Sequence, residues 1–268
     1  IVVIAPEYGA PSTKADYWIP LRVNTDTALL LGVSKIIIDN KWYDAAYMKK
    51  FTDFPLLVRT DTLKRLKPQD IIAGYVNKNI STGPGYTIQG LTQAQRDAVG
   101  DIMVWDTKTN SPKAITRDDV GAKLAATGID PAIEGTYTVT LTNGTKVQVM
   151  TTLEMYKVHL ADYTLTNVAE ITNSPAALIQ KLASDLATIK PASIHIGEGQ
   201  NHYFHATEMN RACYLPLMLT GNVGPIGAGS HTWAGNYKAA LFQGSSWSGY
   251  GFKTWVAEDP FHPDLNAA

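Results

Sequence analysis

The residues best suited to bind a ligand lie between residues 194 and 229. An apolar strand over 193–196 leads into a glycine loop, then into a helix predicted over 207–219, and then into a second glycine loop. Gly197 and Gly199 let a ligand approach the backbone because no Cβ stands in the way. The amino end of the helix is expected to face this loop, where its free N–H groups favour phosphate. The pattern predicts a socket for a large anionic cofactor.

A dense polar cluster follows the first glycine loop. Its hydrogen-bonding and ionisable members are Asn201, His202, His205, Glu208, Asn210 and Arg211. Open α/β sheets bind ligands at the carboxyl ends of their strands, which is where this cluster stands. We interpret it as a hydrogen-bonding wall around a heteroaromatic ligand. His202 and His205 are the candidate catalytic residues, since a histidine there can steer an anion or relay a proton.

Two simpler interpretations of this segment stay open. Gly-x-Gly without a third glycine is not a dinucleotide fingerprint, and no P-loop follows, so the glycines can serve a turn alone. A zinc site made from His202, His205 and Cys213 is disfavoured because no second pair of ligands accompanies them. The metal-ligand prediction for this chain is therefore none.

A second cluster of candidate residues stands near the start of the chain. An apolar strand over 1–5 and a loop over 6–13 lead to a helix predicted from about Thr25 through Leu31. Asn24 is the expected N-cap, and Asp26 falls in the first turn, where the helix dipole favours a carboxylate. Helix capping alone is a sufficient explanation for Asp26 on this pattern.

Taken together, several segments resemble the dimethyl sulfoxide reductase superfamily of molybdopterin oxidoreductases. The segments are Asp16-Tyr17-Trp18-Ile19-Pro20-Leu21-Arg22, Thr25-Asp26-Thr27-Ala28-Leu29, Thr220-Gly221-Asn222-Val223-Gly224 and Gly227-Ala228-Gly229. Those enzymes bind molybdenum between two molybdopterin guanine dinucleotides. The resemblance implies that Asp26 accepts hydrogen bonds from the N1 and N2 groups of one guanine, and that Trp18 and Arg22 shape that pocket. Val23-Asn24 replaces the family's Pro-Gly.

The same resemblance implies further cofactor-binding residues. They are Gly197, Gly199, Asn201, His202 and Arg211 around the first glycine loop, and Gly221, Asn222 and Gly224 in the second.

Within the superfamily, the segments 201–205 and 208–211 resemble the branch that holds nitrate, perchlorate and selenate reductases and nitrite oxidoreductases. Residues 12–66 and 244–260 carry an overall likeness to the nitrite-oxidising members. The resemblance implies oxidation of nitrite to nitrate, with electrons passed to iron–sulfur clusters. Reduction of nitrate, chlorate or perchlorate is the alternative within the branch. A non-catalytic nucleotide-binding α/β module and a structural subunit with an empty pocket are the alternatives outside it.

The resemblance also implies components that this chain does not supply. The chain begins in mid-strand without Met, so we interpret it as an internal fragment of a catalytic subunit whose iron–sulfur and molybdenum ligands lie upstream. The implied partners are a small anionic substrate, an iron–sulfur beta subunit, and a membrane-anchoring or haem subunit. The implied location is at the membrane through those subunits, on the periplasmic side.

Composition limits the other possibilities. The 268 residues carry a formal net charge of −1, which gives no basis for nucleic-acid binding. Cys213 is the single cysteine, so this chain alone forms no disulfide and holds no iron–sulfur cluster. We expect Cys213 to be a small buried hydrophobe. No apolar run approaches the length of a membrane span.

The predicted fold class is α/β, with parts of two Rossmann-like dinucleotide-binding domains and an inserted irregular and β-hairpin segment. Residues 1–67 form part of one cofactor-binding domain, 68–150 a polar insertion that ends in a hairpin, and 151–268 part of the second domain. The stretch 67–131 is expected to be a surface insertion because glycine breakers interrupt it.

Local signals predict particular elements. Register places a three-residue loop, 142–144, in the hairpin over 137–151, because only that loop pairs Val139 with Val147 and Tyr137 with Val149. Asp44 is the expected cap of one short helix, and the sequence 151–154 has the form of a capping box. A helix opening at Ser174-Pro175 is predicted to pack on the strand over 193–196. Its apolar face comprises Ala177, Leu178, Leu182, Leu186 and Ile189.

Overall fold

The computed structural model describes residues 1–78, 100–117 and 119–232, so the segment 244–260 lies outside the described residues. Helices and strands mix along the chain, which confirms the predicted α/β class. In chain order the elements are β1 Val2–Ala5, β2 Tyr17–Pro20, α1 Asp26–Asp39, α2 Ala45–Phe51, β3 Leu57–Arg59, α3 Pro68–Ile71, β4 Ile102–Asp106, β5 Ser111–Ile115, α4 Gly121–Thr127, β6 Thr136–Thr140, β7 Lys146–Thr151, α5 Thr152–His159, α6 Leu165–Thr172, α7 Ala176–Thr188, β8 Ser193–Ile196, α8 Ala206–Leu219 and β9 Gly229–Thr232.

The described strands form small sheets of two kinds. β1 pairs with β2, and β8 pairs with β9, both in parallel. β3, β7 and β6 make an antiparallel sheet in that order, and β4 pairs with β5 in antiparallel. The parallel pairs carry the two segments that sequence analysis singles out. Neither β2 nor β9 is predicted from the sequence.

The hairpin of β6 and β7 has the predicted register. Val139 pairs with Val147 and Tyr137 with Val149. Leu141 and Thr145 close the loop by a hydrogen bond from the Leu141 N–H to the Thr145 carbonyl at 2.8 Å. Gly144 lies in the left-handed region at φ +84°, as the bulged turn requires.

Helix α1 differs from its prediction at both ends. Thr25, not Asn24, is the N-cap, and Asn24 lies in the left-handed region at φ +66°. The helix continues to Asp39 because Val33, Ile37 and their apolar neighbours in its second half are buried in the core. Burial against other helices extends the element beyond the point where the sequence pattern ends.

The largest hydrophobic cluster joins both ends of the described chain. Ile19 of β2 and the apolar face of α1 pack with buried residues of α5, α6, α7 and α8. Gly32 of α1 allows the closest helix contact, because a Cβ there would lie 2.6 Å from Cγ2 of Val168 in α6. One core therefore draws on the 1–67 and 151–232 segments, while the predicted domain boundaries stay a prediction.

The predicted surface insertion over 67–131 contains buried residues in its described part. Met103 and Val104 of β4 are completely buried, and Leu56 and Leu124 pack with Val104 in one apolar cluster. Asp106 is also buried, with its carboxylate hydrogen-bonded at the end of β4. The polar composition of this segment therefore does not keep all of its residues at the surface.

Both predicted N-cap side chains accept a hydrogen bond from the first turn of their helix, but the predicted capping box is incomplete. Asp44 accepts a hydrogen bond from Tyr47 N at 2.9 Å, and Thr151 accepts one from Glu154 N at 3.3 Å. The return bond of a capping box is missing at Thr151, since its own N–H donates to the Gly135 carbonyl. The pairing of β6 with β7 brings Gly135 to that position.

Helix α7 departs from the prediction in its position. It packs chiefly on α1 and α6 instead of on β8. Ile189 lies beyond its end and is 62% exposed, whereas Ile179 and Ala183 are buried. Ser174, expected at the helix start, donates from Oγ to the Pro20 carbonyl at 2.6 Å. Of the helices in the described ranges, none has the length and apolarity needed to span a bilayer.

Candidate cofactor cleft

A cleft of about 1140 Å³ opens between the first parallel strand pair and the loop that follows β8. Its walls come from β1, the first half of α1, α7, β8 and residues 197–203. Pockets for cofactors and other small molecules commonly occupy about 300–1,000 Å³. The cleft is therefore large enough for a nucleotide and part of what is attached to it.

The two polar clusters of the sequence meet in this cleft. Gln200 donates from Nε2 to Oδ1 of Asp26 at 3.0 Å, across 174 positions of chain. Asp26 stands at the start of α1, and Gln200 lies in a 3-10 turn over Glu198–His202 that follows β8. Both residues line the cleft. The sequence predicts Asp26 and the glycine loop as separate candidates, and only the fold makes them neighbours.

Gly197 and Gly199 border the cleft with space around them. A Cβ built at either position meets no atom within 4 Å. Gly197 has φ −76°, so its backbone does not require glycine. The absent side chains thus leave room on the cleft side, which agrees with a loop that a ligand approaches closely.

Trp18 and Arg22 stand beside the cleft but are not among the residues that line it. Trp18 donates from Nε1 to the Ala5 carbonyl at 3.1 Å and packs edge-on against Tyr8 with ring centroids 5.5 Å apart. Arg22 is exposed, and its backbone N–H donates to the Thr172 carbonyl at 2.7 Å. Their predicted role in shaping a guanine pocket stays a prediction.

The polar residues after Gln200 form an exposed rim next to the cleft. Asn201 accepts a hydrogen bond from Nδ2 of Asn210 at 2.9 Å. His202 lies 3.9 Å from a Glu198 oxygen and His205 lies 3.6 Å from a Glu208 oxygen, each as an ion pair if the imidazole is protonated. The remaining candidate of this rim, Arg211, is an exposed residue of α8.

The second glycine loop lies behind the cleft. Asn222 is buried: its Oδ1 accepts from Ala192 N at 3.0 Å, and its Nδ2 donates to the Leu186 carbonyl at 3.2 Å. Gly221 and Gly224 both have positive φ, +70° and +105°. This loop ties the end of α8 to the start of β8 and so fixes the strand that carries the 197–203 loop.

Sequence reasoning missed several cleft residues. Gln200 carried no recognised sequence signal. Tyr17 and Asp185 carried none either, although Tyr17 donates from Oη to the Asp185 carboxylate at 2.8 Å. Lys181 lies 2.7 Å from the same carboxylate and 4.6 Å from the Tyr17 ring centroid. Burial, aided by the Asp185 carboxylate, raises the pKa of Tyr17. The spacing of Lys181 and Asp185, one helical turn apart, was the only available hint.

Cys213 is buried at the base of the cleft, as predicted. Burial is the main cause that raises the pKa of its thiol to about 12, and the negative charge of Asp26 adds to it. The described residues contain no group of three or more His, Cys, Asp or Glu side chains placed to hold a metal ion.

Comparison with known proteins identifies relatives over almost the whole chain. The perchlorate reductase subunit alpha of Dechloromonas aromatica (strain RCB) is 33% identical over 252 residues, which cover 91% of this chain and 26% of that protein. The respiratory nitrate reductase subunit alpha of Haloferax mediterranei is 32% identical, over 94% of this chain and 24% of that protein. The dimethylsulfide dehydrogenase subunit alpha of Rhodovulum sulfidophilum is 27% identical, over 91% and 24%.

The chain spans about a quarter of the length of these relatives. No protein-family model matches it. A solved structure, acetylene hydratase from Pelobacter acetylenicus, aligns with a TM-score of 0.44 at 18% identity over 85% of this chain and 18% of that one, too distant to inform the site. By its sequence relatives, this chain is homologous to part of the alpha subunits of molybdopterin oxidoreductases, in agreement with the superfamily resemblance of its motifs.

Proposed function

We propose that this chain is part of the catalytic subunit of a molybdenum oxidoreductase, and that its cleft holds the guanosine end of a molybdopterin guanine dinucleotide. The observation that carries the proposal is the hydrogen bond between Gln200 and Asp26. It joins, at one cleft, the two segments to which the superfamily resemblance assigns cofactor binding.

The chemistry of Asp26 fits a guanine edge. A carboxylate has two oxygens with about four acceptor sites, and it accepts well from two parallel donors. Gln200 is the one hydrogen-bond partner of this carboxylate among the residues described in the structure, and it uses Oδ1. Oδ2 therefore accepts no hydrogen bond from those residues. Guanine presents N1–H and an N2 amine side by side, which is the matching pair of donors.

The surroundings fit the rest of the cofactor. Gly197 and Gly199 leave open space for a ligand against the backbone. Helix α8 begins just after the 197–203 loop, and its N-cap residue His205 makes no side-chain hydrogen bond to the first turn. The N–H of Glu208 donates to the His205 carbonyl at 3.0 Å, so we propose that the N–H groups of Ala206 and Thr207 bind pyrophosphate oxygens.

The bound molybdenum centre would supply two-electron oxygen-atom transfer, while this chain binds and orients the cofactor. We propose nitrite as the substrate, oxidised to nitrate, on the likeness of residues 12–66 to nitrite-oxidising enzymes. Reduction of nitrate, chlorate or perchlorate is the second candidate. The relatives named above favour it, because two of the three are called perchlorate and nitrate reductases.

The remaining parts of the proposal concern the whole enzyme. We propose an iron–sulfur cluster held upstream, an iron–sulfur beta subunit, and a membrane-anchoring or haem subunit, with the complex at the membrane on its periplasmic side. The relatives support partners of this general kind, since each is named an alpha subunit.

Elemental and nucleotide analysis of the purified full-length protein tests the proposal. We expect molybdenum, and guanine nucleotide released on acid hydrolysis, in about a 1:2 ratio for a bis(molybdopterin guanine dinucleotide) centre. Steady-state assays with nitrite as donor and with nitrate, chlorate and perchlorate as acceptors then decide the direction. A nucleotide without molybdenum would point instead to a simple binding module, and the absence of both would indicate a structural subunit.

Replacing Asp26 by Asn should weaken retention of the guanine nucleotide. An amide offers one acceptor oxygen in place of two and loses the charge, so we expect release at least tenfold faster, since hydrogen bonds to charged groups contribute about 1.5–3 kcal/mol. The measurement is nucleotide retained by the full-length protein during dialysis. Asp39→Asn is the matched control, because Asp39 ends the same helix and pairs with Lys35. Equal retention in both variants would contradict the assignment.

The predicted roles of His202 and His205 are tested separately. If either imidazole contacts cofactor or substrate, His202→Ala or His205→Ala in the complete enzyme should slow turnover or lower cofactor content. The measurements are kcat, KM and molybdenum per polypeptide. Full activity and full occupancy in both variants would show that the exposed rim has no part in the reaction.

A further inference from the structure

Gln200 is fixed between two buried or half-buried groups. Its Nε2 donates to Oδ1 of Asp26 at 3.0 Å, and its Oε1 lies 4.0 Å from Sγ of Cys213. A carboxylate only accepts hydrogen bonds, so the NH2 end of the amide must face Asp26. The carbonyl end then faces the thiol, which is a weak donor as long as it keeps its proton.

The thiol keeps its proton in this position. Burial raises the pKa of Cys213 to about 12, and Asp26 raises it further as a nearby negative charge. Cys213 is anchored in α8, where its Sγ also lies 3.5 Å from the Met209 carbonyl. The Asp26 carboxylate therefore sets the orientation of the Gln200 amide, whose oxygen then faces the protonated thiol on the buried side of α8.

We propose that Gln200 is a positioning residue that fixes the Asp26 carboxylate for recognition of guanine, an inference that rests on the proposed function. A half-buried carboxylate at the start of a helix can still adopt more than one rotamer, and only some rotamers present both oxygens to a planar edge. One hydrogen bond to Oδ1 restricts this rotation. It leaves the second acceptor site of Oδ1 and both sites of Oδ2 for N1–H and the N2 amine. Gln200 acts through Asp26 and does not itself need to contact the base.

A double-mutant cycle on the full-length protein tests this inference. The variants are Gln200→Met, Asp26→Ala and the two combined, and the readout is the rate at which guanine nucleotide leaves the protein during dialysis. We expect about tenfold faster release for Gln200→Met, the effect of losing one charge-assisted hydrogen bond. In the Asp26→Ala background the same change should have no further effect. Gln180→Met, at an exposed position of α7, is the matched control and should release at the wild-type rate.

A second substitution separates positioning from simple loop structure. Gln200→Glu keeps the size of the side chain but sets a carboxylate against Asp26. If Gln200 orients Asp26, Glu should release nucleotide faster than Met does, because two like charges at this distance repel. If Gln200 only fills space in the loop, the isosteric Glu should be the milder change. Thermal unfolding of each variant identifies any loss of nucleotide that follows from misfolding.

The outcomes distinguish this inference from the proposed function. Wild-type protein that carries no guanine nucleotide overturns both. Wild-type protein that carries it while Gln200→Met retains it equally well overturns the positioning role alone. Additive effects in the combined variant, or a milder effect of Glu than of Met, also overturn the positioning role. Faster release by Gln200→Met that disappears in the Asp26→Ala background supports it.

Discussion

A single carboxylate, Asp106, organises the end of β4. It accepts hydrogen bonds from Oγ1 of Thr109 at 2.7 Å and from the backbone of Asp130 at 2.9 Å. These bonds, with that of Thr109 the largest cause, lower the pKa of Asp106 to about 2 from an ordinary 3.8. The ionised side chain therefore joins the β4–β5 turn to the segment that follows α4.

This depressed pKa predicts a pH-dependent contribution to stability. The unfolded chain binds the proton more tightly than the folded one, so the contribution is complete above pH 3.8 and is lost as the pH falls toward 2. Asp106→Asn should lower the unfolding temperature of the full-length protein at pH 6, and the difference from wild type should shrink between pH 4 and pH 2.5. Asp162→Asn, at an exposed carboxylate, is the control. A difference independent of pH would contradict the prediction.

Some residues of the candidate site could be predicted from the sequence, and others could not. Gly197 and Gly199 were predicted from their residue type and their place after a strand, whereas the ligand role of Asp26 was predicted from the superfamily resemblance. Gln200 was not predicted, since its importance comes from a partner 174 positions away. A glutamine in a loop has no sequence signature for such a contact.

At the scale of elements, the hairpin of β6 and β7 was the most predictable part of the fold. Its register follows from alternation of apolar side chains and from one turn glycine, all within fifteen residues. Helix α1 was predicted only to Leu31, although it runs to Asp39. Its second half is rich in β-branched residues, which favour strands locally, and only the surrounding helices decide that Ile36, Ile37 and Ile38 are helical.

The left-handed turn predicts the result of changing Gly144. A Cβ at this position meets no atom within 4 Å, so the cost of Gly144→Ala comes from φ +84° alone. We expect a loss of about 1 kcal/mol in the free energy of unfolding. Gly9→Ala is the control, because Gly9 has φ −85° and its nearest contact is 3.8 Å away. Urea unfolding of the full-length protein measures the free energy of unfolding of both variants. Equal stability of the two would contradict the left-handed conformation of Gly144.

At the scale of the whole molecule, the contact of α1 with α6 joins the early and late segments of the chain. Gly32→Ala should be destabilising by about 1–3 kcal/mol, because its Cβ would lie 2.6 Å and 2.9 Å from the two methyl groups of the buried Val168. Adding Val168→Ala should recover part of this loss, so the double variant is more stable than the sum of the single changes predicts. Urea unfolding measures the stability of each variant. If the effects of Gly32→Ala and Val168→Ala simply add, position 32 and Val168 are not in close contact.

The sequence by itself determined the α/β class, the hairpin register, two helix caps, and a resemblance to molybdopterin oxidoreductases that the relatives support. These features depend on interactions within about fifteen residues, or on residue types that few others can replace chemically. Only the tertiary structure decided that Asp26 and the 197–203 loop share one cleft, that Gln200 and Cys213 belong to it, and that Met103, Val104 and Asp106 are buried. The physical reason is that each depends on side chains far apart in sequence, which become neighbours only when a single core packs both ends of the chain together.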